Sequence, residues 1–298
     1  MGAIAIIQLS GDVTHGLEKL TGRSTWDNGA LHLVDIPEID DAVAVKLNDT
    51  LAHIMPHGGM QVLRKFAERF AELGIKQEGK PQYPEAEDEI EAQMLAMLAV
   101  AESPLAVELL LCQPTKLRDA TPTTEDLVRS TILNHLITPA KVVLLGEPNT
   151  GKSTLMNALT KQDTSIVHDL PGATRDAVGA RINCGGLIVD LYDLPGFRDS
   201  NDSIEQEAIE LAKEIADEAT LTILITDVEH DWLETNNNAI RVATKSDIKS
   251  RDADICVSAH TGQNMQQLAI AIRDAIVPPE VFSNDRPWFF PGVKDLSH

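Results

Sequence analysis

The chain is 298 residues long and 43% hydrophobic, enough for about two domains with a sizeable core. Its formal net charge of −21 argues against a broad phosphate-binding face for DNA or RNA. No apolar run approaches the length of a membrane span, no basic segment precedes the short N-terminal apolar run, and Ile6 stands where a myristoylation motif needs Ser or Thr. Cys112, Cys184 and Cys256 are widely spaced, without metal or redox spacing, and read as reduced, buried thiols of a cytoplasmic protein.

In chain order, residues 1–78 predict a small α+β domain. Ala3–Ile7, Leu31–Val34 and Asp41–Val45 read as strands. A helix starts near Gly59, with Val62, Phe66, Phe70 and Leu73 on one face and Gly74 as its stop. Residues 79–137 predict a polar linker followed by helices over 86–112 and 124–137, the second after the cap-like Thr123-Thr124-Glu125-Asp126. Residues 138–280 alternate strands (141–145, 177–184, 187–193, 221–226, 239–243, 254–257) with helices (152–161, 203–218, 264–276). That alternation implies a mainly parallel sheet covered by helices. Residues 281–298 read as a tail whose Trp288, Phe289 and Phe290 dock on the body or on a partner.

The densest signal opens the third segment. Gly146-Glu147-Pro148-Asn149-Thr150-Gly151-Lys152-Ser153, followed by Thr154, spells G-x-x-x-x-G-K-S between an apolar strand and a helix. Such a loop wraps phosphate oxygens with backbone N–H groups and a helix N-terminus. Lys152 then reaches the β- and γ-phosphates, and the Ser153 hydroxyl ligates Mg²⁺. Asp193-Leu194-Pro195-Gly196 supplies an acid for Mg²⁺ and a glycine N–H facing the γ-phosphate. Thr174, between the two, is a further candidate Mg²⁺ ligand, or an ordinary polar turn.

The base is selected further on. Thr244-Lys245-Ser246-Asp247 matches [N/T]-K-x-D. The Asp247 carboxylate accepts both guanine donors, N1–H and N2–H₂, which adenine does not offer. Ser258-Ala259 brings a backbone N–H toward guanine O6. Together these residues predict an α/β protein: a P-loop GTPase domain with a mainly parallel sheet, a smaller N-terminal α+β domain and a short helical segment.

These residues resemble the Era- and Der-type GTPases, and more closely the tRNA-modification GTPase family called TrmE or MnmE. G-E-P-N-T-G-K-S-T-L-M-N-A-L is similar to that family's G-x-P-N-x-G-K-S-S-L-x-N-A-L. H-D-L-P-G-A-T-R-D and D-L-P-G-F-R-D resemble T-D-I-A-G-T-T-R-D and D-T-A-G-L-R-E. G-A-I-A-I-I-Q-L-S-G and His57-Gly58-Gly59 are similar to the family's opening strand and its H-G-G-P, so the likeness covers residues 1–75 and 140–280. Phe197 follows Gly196, where Ras-like proteins carry a water-orienting Gln. The resemblance implies that Asp199 positions the water instead, and that Asn149 helps hold a K⁺ ion when two such domains pair. It also implies a homodimer through the N-terminal and GTPase domains and a tRNA-modification partner.

The departures are specific. The helical segment over 86–137 is short, and none of the cysteines lies near the end of the chain, where the family carries a Cys motif tied to tRNA modification. Gln8 stands where the family's folate-binding domain has Arg, and the loop between Asn48 and Ile54 is shortened; both count against folate. The expected activity is hydrolysis of GTP to GDP and phosphate, slow and linked to tRNA modification. The alternative is a GTP-gated module that binds the ribosome or a protein partner with weak or no turnover.

Overall fold

The computed structural model describes residues 4–76, 81–161, 178–194, 215–233, 235, 238–249, 251–282 and 285–291. The chain divides into two compact units, Met1–Gln82 and Tyr83–His298.

The first unit is an antiparallel four-stranded sheet with two helices: β1 (Ile7–Ser10), α1 (Val13–Thr21), β2 (Leu31–Ile36), β3 (Asp40–Lys46), β4 (Leu51–Met55) and α2 (Met60–Glu72), with sheet order β1-β4-β3-β2. Two differences from the sequence reading stand out. The opening strand lies at Ile7–Ser10 rather than Ala3–Ile7, because β4 pairs with it from Ile7↔Ile54 to Ser10↔Leu51. Ile4 and Ile6 are 65% and 66% exposed. Helix α1 is an element beyond the sequence reading, although its signals are present in the chain. Asp12 caps it by accepting from the His15 N–H at 3.2 Å, Val13, Leu17 and Leu20 form its buried stripe, and Gly22 ends it at φ 71°. Helix α2 ends as expected at Gly74, where the Ile75 N–H bonds back to Phe70 O at 2.8 Å. Phe66 is buried, and Val62, Phe70 and Leu73 pack against the same core.

The second unit begins with α3 (Glu89–Val100), α4 (Leu105–Leu111), α5 (Gln113–Leu117) and α6 (Thr124–Leu133). The single helix read over 86–112 is therefore broken. Pro104 disfavours helix at the residue before it, and Ala101 turns to an extended conformation. The broken segment is fastened elsewhere: the Ser103 N–H donates to Leu136 O at 3.1 Å, and Ser103 Oγ accepts from the Ile188 N–H at 2.9 Å. Helix α6 starts with a reciprocal capping box between Thr123 and Asp126. It stops at Leu133 and gives way to one 3₁₀ turn over Asn134–Leu136.

The sheet comprises β5 (Ala140–Leu145), β6 (Val178–Cys184), β7 (Leu187–Asp193), β8 (Leu221–Thr226), β9 (Ala239–Ala243) and β10 (Ile255–Cys256), in the order β10-β9-β8-β5-β7-β6. All neighbours are parallel except β6 with β7. Helices α7 (Lys152–Thr160), α8 (Met265–Ile276) and the short α9 (Pro279–Phe282) complete the unit. Of the helix read over 203–218, residues 203–214 lie outside the described residues, and 215–217 are helical. One continuous core joins the sheet, α7, α8, helical residues such as Met94, Leu110 and Leu133, and the tail residues Trp288, Phe289 and Phe290. The tail is pinned by polar bonds as well. Trp288 N–H donates to Gln113 Oε1 at 2.8 Å, Trp288 Nε1 to Asn134 Oδ1 at 3.1 Å, and the Phe289 N–H to Ser130 Oγ at 2.9 Å.

Candidate guanine-nucleotide site

Strand register collects the candidate residues at one edge. Leu144 lies opposite Asp193, Leu145 opposite Leu224, Thr226 opposite Ala243, and Ala243 opposite Cys256. The loops that follow β5, β8, β9 and β10 therefore emerge side by side at the carboxyl ends of parallel strands, where such sheets bind ligands.

The 146–153 loop is shaped by two glycines. At Gly146 a Cβ would stand 2.3 Å from Ile225 O, so only glycine lets the loop lie against β8. Gly151 has φ 96° and serves as the N-cap of α7, and Asn149 is also left-handed at φ 67°. Glu147 O accepts from Thr150 Oγ1 at 2.7 Å, which tightens the turn over the exposed Pro148. Lys152 folds back over the loop, donating to Gly146 O at 2.8 Å and Glu147 O at 3.0 Å. Burial pushes its pKa down, and the charge of Asp193 opposes that shift only in part. Ser153 Oγ donates to Asp193 Oδ2 at 2.6 Å, so the two candidate Mg²⁺ ligands from α7 and β7 meet. A hydroxyl and a carboxylate are hard oxygen donors, a set that suits Mg²⁺. Thr154 is exposed on the same turn.

The second half of the site is bolted to the first. The buried Thr244 donates its hydroxyl to Thr150 O and to Thr226 O, the latter at 3.1 Å. Lys245, left-handed at φ 55°, donates to Asn149 O at 2.9 Å and to Asp227 Oδ2 at 2.6 Å. Asp247 is exposed. A hydrogen bond from Ser258 leads the causes that hold its carboxyl below the usual range, so it is an ionised acceptor at neutral pH. Ser258 is buried, and its Oγ also accepts from the Thr261 N–H at 3.2 Å; Ala259 is half-buried beside it.

Thr174, Gly196, Phe197 and Asp199 lie outside the described residues. Asp227 is the residue the sequence reading missed. It follows directly on the apolar strand β8, much as Asp193 closes β7, and that parallel is its signal in the sequence. The β8–β9 connection runs from Asp227 to Asn238 and holds no helix among its described residues. Trp232 lies there, with the Arg241 and Arg251 guanidinium groups 5.7 and 5.3 Å from its ring centroid.

Residues 141–258 match the family model described as "50S ribosome-binding GTPase". Over 190 residues the chain is 36% identical to the tRNA modification GTPase MnmE of Acidiphilium cryptum, covering 61% of this chain and 43% of that protein. Over 277 residues it is 28% identical to the MnmE of Rhizobium meliloti, covering 89% of this chain and 60% of that protein. The chain thus spans about half the length of the curated relatives it matches. Among solved structures it is similar to Era of Aquifex aeolicus bound to GDP.AlF4-, with 25% identity, a TM-score of 0.37, and coverage of 46% of this chain and 56% of that one. Residues 141–258 have the fold of a P-loop GTPase domain, and the chain is similar to tRNA modification GTPases over much of its length. Among the described residues, no helix is long and apolar enough to cross a membrane.

Proposed function

We propose that this protein binds GTP with Mg²⁺, hydrolyses it to GDP and phosphate, and works as a TrmE-like nucleotide switch linked to tRNA modification. The observation that carries this reading is the meeting of Ser153 with Asp193 at 2.6 Å beside a loop that ends on Lys152. Asp247 stands ready as an ionised acceptor on a loop fastened to the same P-loop.

In this reading the carbonyl partners of Lys152 give way to phosphate oxygens, and its ammonium holds negative charge on the transferring group. Ser153, Asp193 and Thr174 would hold Mg²⁺, which would supply positive charge against the phosphates. The N–H groups of the loop, of Ser153 and Thr154, and of Gly196 hold phosphate oxygens. Asp247 accepts from the guanine edge, the Lys245 stem covers the base, and the Ala259 N–H meets O6. Asp199 orients the attacking water, since Phe197 has no polar group to do so. Asn149 contributes to a K⁺ site when two copies pair through the N-terminal and GTPase domains. Folate is left out, because Gln8 replaces the family's Arg and spends its amide on His53 at 3.0 Å and Gln82 O at 2.6 Å. A cytoplasmic location fits three unpaired thiols, of which only Cys184 is buried; Cys112 is exposed and Cys256 half-buried, so burial of all three is not what the fold provides.

A second reading is a GTP-gated module whose output is ribosome or protein binding. The family description of residues 141–258 and the −21 charge favour it. One experiment tests the site in both readings: turnover of GTP and of ATP in K⁺ and in Na⁺ buffers with Mg²⁺. The expected result is GTP-selective turnover that is faster in K⁺. Equal rates in the two salts remove the K⁺ role, and equal use of ATP removes the guanine assignment. Tight GTP binding without turnover favours the second reading, and pull-down of ribosomes or tRNA with a GTP analogue identifies the partner.

A further inference from the structure

We infer that Asp227 is a positioning residue for guanine recognition, acting through Lys245; the inference rests on the guanine-nucleotide assignment above. The Asp227 side chain is only 2% exposed. A carboxylate this deeply buried is costly unless every lone pair is used, and here each oxygen is taken. Oδ2 accepts from Lys245 Nζ at 2.6 Å, while Oδ1 accepts from the Glu229 N–H at 2.9 Å and meets His230 Nδ1 at 2.6 Å. Its own carbonyl is held by Arg251 Nη1 at 2.8 Å, and Arg251 is in turn steadied against Trp232. Burial pushes the Asp227 carboxyl up, but the bonds from Lys245 and His230 outweigh it and leave the group far below the usual carboxylate range.

Lys245 needs such an anchor. It is a non-glycine residue with positive φ, and its side chain is 44% exposed, so a free ammonium would sample many rotamers. Two acceptors fix it instead: Asp227 at the end of β8 and Asn149 O in the P-loop. The ammonium thus ties the base-recognition loop to the phosphate loop, and the Asp227 carboxylate is the charged half of that tie. The ammonium assists both bonds, but only Asp227 also brings an opposite charge to its bond; the Asn149 carbonyl is neutral. Without that carboxylate, the lysine stem is no longer held where the base would lie, and the phosphate loop loses a strut.

The test is a double-mutant cycle on the full chain with Asp227→Asn, Lys245→Met and the pair, reading GDP affinity by titration with a fluorescent GDP analogue. Asp227→Asn is expected to weaken GDP binding roughly tenfold while circular dichroism stays unchanged. The pair is expected to bind no worse than Lys245→Met alone, because the two groups act as one. A general loss of structure would instead give losses that add. Undiminished affinity in Asp227→Asn, or additive losses, overturns the inference. Should Asp227→Asn not purify folded, Asp227→Ser, a smaller neutral acceptor, is read the same way. A wild-type chain that binds no guanine nucleotide brings down the site assignment and this inference together. Wild-type binding that Asp227→Asn leaves intact brings down this inference alone.

Discussion

Ser153 Oγ and Asp193 Oδ2 lie 2.6 Å apart, joining the first turn of α7 to the last residue of β7. Ser153→Ala removes the hydroxyl but leaves the backbone loop. It is expected to raise the Mg²⁺ concentration needed for half-maximal GTP hydrolysis by roughly tenfold or more, with GDP binding in the absence of Mg²⁺ little changed. A Mg²⁺ titration of the turnover rate checks this, and an unchanged Mg²⁺ requirement removes Ser153 from the metal site.

Asp247→Asn replaces an ionised acceptor with an amide that presents a donor where guanine also donates. GDP affinity is expected to fall roughly a hundredfold. Xanthosine diphosphate, which carries a carbonyl at that edge, is expected to bind the variant better than the wild type. Competition titration with the two nucleotides measures both changes.

Gly146→Ala is expected to destabilise the second unit by about 1–3 kcal/mol, because its methyl would meet a backbone carbonyl, Ile225 O, at 2.3 Å. That atom is not the tip of a flexible side chain, so the strand or the loop must shift. Urea denaturation of the two proteins reports the difference.

Asp126 predicts an acid limb in the stability curve. Its side chain is buried; burial pushes its pKa up, but the Thr123 hydroxyl and N–H and the Arg286 guanidinium outweigh that and hold it below the usual value. A folded pKa below the unfolded value of about 3.9 means that the group stabilises the fold fully at higher pH. That contribution drains away as pH falls below about 4 toward the folded pKa. Asp126→Asn is expected to be less stable at pH 7 by about 1–3 kcal/mol and to show a flatter acid limb. Denaturation at a series of pH values resolves the two effects.

Much of this site can be read in one dimension, because local chemistry is written locally. The G-x-x-x-x-G-K-S run, the strand ending in Asp193 and the T-K-x-D tetrapeptide are contiguous signals, and all six strands of the second unit lie within a residue or two of their apolar runs. What stays illegible in one dimension depends on distant partners. Asp227 means little until Lys245 arrives 18 positions later. Gly146 owes its constraint to Ile225 O across a neighbouring strand. A run of strong helix formers masks the break after Val100, and the Ser103 bonds to Leu136 and Ile188 show what the break achieves.

Trp288 and Phe290 are fully buried in the same core as β5 and α6, which sets an order for biogenesis. The first unit has its own core and can close as soon as its residues leave the ribosome. The second cannot: its parallel sheet and helical segment share a core with Trp288, Phe289 and Phe290, which follow them in the chain, and must wait for those side chains to be made. During that interval the sheet exposes apolar surface to the cell, and the arrival of these three aromatic residues is what hides it.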